Sequence, residues 1–190
     1  TNEKRVAKAK LQLAEVAGLE DVQVAHALLN KCLGSCKVMY AMRTTRPDWI
    51  TDRLTEFDAA VREAFESSTG LSLSNSEWGQ ASLSVKRSGL GLRSAVAHAP
   101  TAYVASVSSA LPLCKAVDEA FVWEGGVDGS GLAQAVAILP ASIRPNFVAA
   151  GLDEPGEDVP AQKDISVVID GELESALSSG ASVCNKARIR

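Results

Sequence analysis

Apolar residues recur every three or four positions through most of the chain, the spacing of helices that bury one face. The stretch DWITDRLTEFDAAVREAFESSTG is the clearest case. Ile50, Leu54, Phe57, Val61 and Phe65 fall on one side of it, with acids and arginines on the other. EDVQVAHALLNKCLGSCKVMYAM reads as one helix, with Val22, Ala25, Leu28, Leu29, Cys32, Cys36, Met39 and Tyr40 in register. Asp21 near its start and Lys37 and Arg43 near its end suit the helix dipole, while Gly34 weakens it by up to about 1 kcal/mol relative to alanine. The first helix has a rougher face, Val6, Leu11 and Leu13, and stops at Gly18. Ser74 or Asn75 caps a short helical turn that carries Trp78.

SLSVKRSGLGLR breaks the period. Leu83 and Val85 alternate with serines, and the glycines that follow permit a turn, so an extended corner is expected near 83–92. Helix resumes at Ser94, and Pro100 predicts a kink or a break into two helices. CKAVDEAFVWEGG reads as a short helix ended by Gly125 and Gly126, and another helix stops before Pro140. An acidic, proline-containing loop is expected near 151–162, followed by a helix with Ile165, Val168, Ile169, Leu173 and Leu177 in register. The fold class is therefore mainly α: a helical bundle with one small extended corner near 83–92. Its expected parts are a helical region over residues 1–112 and a helical tail over 113–190.

Composition changes this picture little. Apolar residues make up 46% and aromatics 5%, a balance that suits small helix interfaces. Charge matters more. The net value is −4, but residues 1–50 hold eight Lys/Arg against five Asp/Glu, and residues 116–190 hold five against twelve. The first part could face a polyanion and the last would repel one. No apolar run approaches the ~20 residues that cross a bilayer, so no membrane partner is expected. The N-terminus is charged and lacks the apolar centre of a signal peptide. Cys32, Cys36, Cys114 and Cys184 are too few and scattered for a disulfide framework, and point to free thiols in a reducing compartment. An intracellular location is expected, with nothing to separate nucleus from cytoplasm.

Candidate chemistry is sparse. SGLGLRSA feeds a helix N-terminus, where exposed N–H groups can hold an anion, but it matches neither a Walker loop nor the dinucleotide fingerprint. A tight structural turn is the expected role. Zinc at Cys32 and Cys36 would need two more ligands, from His26, His98, Cys114 or Cys184, none in paired spacing, so core packing is expected for the thiols. Ser94 and His98 lie four apart without a hydrolase signature, and no catalytic residue, metal or cofactor is expected. The basic residues form two groups: Lys31, Lys37, Arg43 and Arg46 near one helix end, and Lys86, Arg87 and Arg93 around the glycine turn. If the groups adjoin, they could hold phosphates.

Several motifs occur in series: Arg43–Thr44 after an apolar helix, Phe57–Asp58, Trp78 to Ala81, then Leu83 to Arg93, and an alanine-rich stretch with His98–Ala99 and Ala102–Tyr103. From about residue 19 to 107 this series resembles the region after the palm in reverse transcriptases of non-LTR (LINE-type) retrotransposons. That family shows Leu-Pro-x-x-x-Gly-Gly-Leu-Gly-Leu-Arg at the turn. Here Ser84 replaces its proline and Ser88 its first glycine. The metal-binding aspartates of the polymerase are absent, and phosphoryl transfer needs carboxylates that hold metal ions. The resemblance thus implies a thumb-like helical unit, inactive alone. It would hold RNA–DNA or DNA duplex by backbone phosphates, through Lys37, Arg43, Arg46, Lys86, Arg87 and Arg93. The alternative is a helical protein–protein interaction module that does not bind nucleic acid, which the acidic C-terminal third favours.

Overall fold

The computed structural model describes residues 2–121, 131–144 and 161–180. It is mainly α, and no strand occurs among the described residues. The helices are α1 (Asn2–Ala17), α2 (Val22–Leu28), α3 (Met39–Thr44), α4 (Pro47–Thr69), α5 (Asn75–Ser82), α6 (Ala95–Val117), α7 (Leu132–Ile138) and α8 (Gln162–Gly180). No described helix is long and apolar enough to cross a membrane. Cys184, the glycine stop at 125–126 and the acidic loop up to residue 160 lie outside the described residues.

The chain divides into two compact units whose segments alternate along the sequence. The first comprises Thr1–Tyr40, Asp52–Val96 and Asp170–Arg190; the second comprises Ala41–Thr51 and Ala97–Ile169. In the first unit, α1 buries Val6, Ala9, Leu13 and Val16, a three–four–three spacing, while Leu11 is 72% exposed. The bulkier Leu11 thus falls off a stripe that includes an alanine. Helix α4 buries all five residues of its expected stripe. Ser74 and Glu77 form a capping box at the start of α5, each side chain bonding the other's backbone N–H.

The expected single helix over 20–42 is instead broken. Asp21 caps α2 by accepting from the N–H groups of Gln23 and Val24. The helix widens into a π turn over Leu29–Leu33, stops at Gly34, and resumes as a 3-10 turn over Ser35–Lys37 before α3. Gly34 brings the backbone back on itself: a Cβ there would sit 2.5 Å from the Leu29 carbonyl oxygen. The break takes Cys32 and Cys36 out of the expected core register, and both are exposed.

In the second unit, Tyr103, Val104 and Ala105 of α6 pack with Leu132, Ala135, Val136 and Leu139 of α7, and with Ile143 and Ile165. Residues 98–105 are buried on every side of the helix. Alanines and a threonine there keep the helix narrow enough to be surrounded. Helix α6 runs through Pro100 without dividing in two, held by that packing despite the lost backbone hydrogen bond.

Candidate functional site

The glycine turn between α5 and α6 is a dense knot of backbone hydrogen bonds within the first unit. Leu83 and Ser84 are extended, then Val85–Arg87 make one 3-10 turn. The Leu90 N–H donates to the Ala81 carbonyl at 3.0 Å, and the Gly91 N–H to the Leu83 carbonyl at 2.9 Å. The alternation of apolar residues and serines over 82–85 therefore yields two extended residues and a helical turn, because the chain pairs with itself and not with a neighbouring strand.

Ser84 and Ser88, the two departures from the resembled pattern, have distinctive backbone angles. Ser84 has φ −61 after a Leu83 ψ of 156, a pair of angles that a proline and its predecessor adopt. Ser88 has φ 58 and ψ 25, the left-handed region that glycine adopts without cost. Ser88→Gly is expected to raise stability by about 0.5–1 kcal/mol, read as a higher urea midpoint, since left-handed backbone strains any residue with a Cβ.

Asp58 joins α4 to the start of α6. Its carboxylate accepts from the Ser94 hydroxyl at 2.6 Å, the Ala95 N–H at 2.8 Å and the Val96 N–H at 3.2 Å. The adjacent Phe57 is fully buried. The Phe-Asp pair and the turn motif, 36 residues apart at Asp58 and Ser94, are thus one physical device. The helix N-terminus that could have received a phosphate is already filled by a carboxylate of the same chain. The Ser94 hydroxyl thus donates to a carboxylate of α4.

Four of the six expected phosphate-binding cations lie in the first unit. Arg93 Nη2 donates to Asp170 Oδ2 at 2.6 Å, and Arg87 Nη1 donates to the Glu174 carboxylate. Both acids are on α8, so the two arginines bind the turn to that helix. Lys37 and Lys86 are exposed and make no ion pair among the described residues. Asn30 Nδ2 donates to the Leu90 carbonyl at 2.8 Å, and His26 Nε2 lies 3.0 Å from the same oxygen, a distance at which a ring N–H donates. These contacts place the His26–Asn30 turn, which leads into Lys31, beside the glycine turn that carries Lys86.

Arg43 and Arg46 belong to the second unit. Arg43 is exposed, and its guanidinium donates to the Gln162 side-chain oxygen at 2.7 and 3.0 Å. Arg46 pairs with Asp48 at 2.9 Å and stacks 4.8 Å from the Trp49 ring centroid. The hydrogen bond from Arg46 holds the Asp48 carboxyl below its ordinary value and raises the arginine's own. Burial pushes the Tyr103 phenol up. Three of the six cations are thus paired with carboxylates of the chain itself.

Among the described residues no group of three or more His, Cys, Asp or Glu is placed to hold a metal ion. Comparison with protein-family models, curated proteins and solved structures finds no significant match to the chain.

Proposed function

We propose that this chain is a non-catalytic helical unit related to the region that follows the palm in LINE-type reverse transcriptases, and that it contacts nucleic acid through backbone phosphates. The backbone at the two departures from the family pattern carries the relation. Ser84 keeps the φ of a proline and Ser88 the φ of a glycine. The coupling of Asp58 to Ser94, Ala95 and Val96 supports it further, because it joins two of the separate motifs through hydrogen bonds.

The phosphate contact is assigned to Lys31, Lys37 and Lys86. They are exposed, Lys31 and Lys86 lie on segments joined at the Leu90 carbonyl, and none of the three makes an ion pair among the described residues. Three contacts make for weak, sequence-indifferent binding. A titration against a DNA or RNA–DNA duplex should give a log–log salt slope of roughly −2 to −3. Changing Lys37 and Lys86 to alanine should flatten that slope by about 2. No measurable binding at low salt, or a slope that the double variant leaves unchanged, would overturn the assignment.

A second reading has its own support. The first unit has a groove lined by Val6, Ala7 and Leu11 of α1, with Glu3, Lys10, Arg53 and Glu56 around it. An apolar floor inside a rim of both charge signs suits a protein surface. The absence of duplex binding at low salt would favour this interaction module.

A further inference from the structure

We infer that Cys32 and Cys36 form a dithiol site that closes to an internal disulfide by exchange with a small anionic disulfide. Both thiols are exposed, a consequence of the Gly34 break. Cys36 Sγ folds back over that break and donates to the Lys31 carbonyl at 3.4 Å. That carbonyl belongs to the peptide link of Cys32, so standard peptide dimensions put the sulfur within about 6 Å of the Cys32 Cα. Closure then requires both side chains to turn toward each other, with the Cys36 sulfur leaving the Lys31 carbonyl. Lys31 and Lys37 bracket the pair and are exposed, which gives a carboxylate-bearing disulfide two ammonium groups to approach.

The chemistry balances without a metal. One cysteine thiolate attacks a sulfur of the small disulfide, forming a mixed disulfide and releasing half of the reagent, which takes up a proton as a free thiol. The second cysteine thiolate then attacks the protein sulfur of the mixed disulfide. The remaining half leaves as a second thiol. The protein loses two protons and two electrons, and the reagent gains both.

The probe is oxidised glutathione, applied to the full chain under native conditions, with mass spectrometry of the tryptic peptides. Cleavage after Lys31 and Lys37 releases the six residues CLGSCK, which hold both thiols and no other cysteine. In the unaltered protein this peptide should be found lighter by two hydrogens and free of adduct. In Cys36→Ser the glutathione adduct should persist on Cys32, and in Cys32→Ser on Cys36. The adduct should decay at least about tenfold faster in the unaltered protein than in either variant, because the resolving thiol is tethered beside it. Stable adducts on both cysteines, a disulfide between two chains as the main product, or no reaction at either thiol would each overturn the inference.

Discussion

Gly89→Ala is expected to cost about 3 kcal/mol of stability, the upper end of the usual range for overpacking. A Cβ at Gly89 would collide with the Leu83 carbonyl oxygen, lie 2.5 Å from the carbonyl carbon and 2.7 Å from the Leu83 Cβ. None of these atoms is the end of a flexible side chain. The Leu83 carbonyl is held by the Gly91 N–H, and the Leu83 side chain is fully buried, so neither side can yield. Two control substitutions separate steric exclusion from the general effect of removing a glycine. Gly70 has φ +69 and nothing near its Cβ position, so Gly70→Ala should cost about 1 kcal/mol from backbone strain alone. Gly180 has open space and no such φ, and Gly180→Ala should be close to neutral. Urea unfolding followed by helical circular dichroism should rank the three variants in that order. A Gly89→Ala midpoint equal to that of Gly70→Ala would mean the turn is looser than its packing indicates.

The same turn shows what periodicity can and cannot reveal. Helix α4 was legible because large apolar residues mark its buried stripe: Ile50, Leu54, Phe57, Val61 and Phe65 are all buried. Helix α1 was legible only in extent. Its stripe uses Ala9, which weighs little in a hydrophobic pattern, and the conspicuous Leu11 faces out. The break at Gly34 was not legible, because the three–four spacing of apolar residues continues across it. A short-range contact with the Leu29 carbonyl decides the geometry there, and with it the exposure of Cys32 and Cys36. For the cations the missing information was the partner. Arg87 and Glu174 are 87 residues apart, and Arg93 and Asp170 are 77 apart. The acidic C-terminal third, which would repel a polyanion as a whole, supplies the carboxylates that occupy these arginines. Charge counts along a sequence register both groups and cannot register their pairing.

That pairing makes Arg93 the test of which role the turn's arginines have. Asp170 has a side chain only 3% exposed, and a carboxylate so placed depends on a cation to offset its lost hydration. Arg93→Ala should therefore destabilise the chain by about 3 kcal/mol. Most of that loss is the cost of taking the Arg93 cation away from a buried carboxylate, so it should shrink when the carboxylate is removed too. The double variant Arg93→Ala, Asp170→Ala is expected to be more stable than Arg93→Ala alone, a coupling that a double-mutant cycle measures directly. Lys86→Ala supplies the contrast. Lys86 is exposed and forms no ion pair among the described residues, so its loss should leave the unfolding midpoint in place and weaken duplex binding. Were Arg93 a phosphate ligand and not a strut, the pattern would invert: an unchanged midpoint in Arg93→Ala, no rescue by Asp170→Ala, and a fall in duplex affinity as large as that of Lys86→Ala.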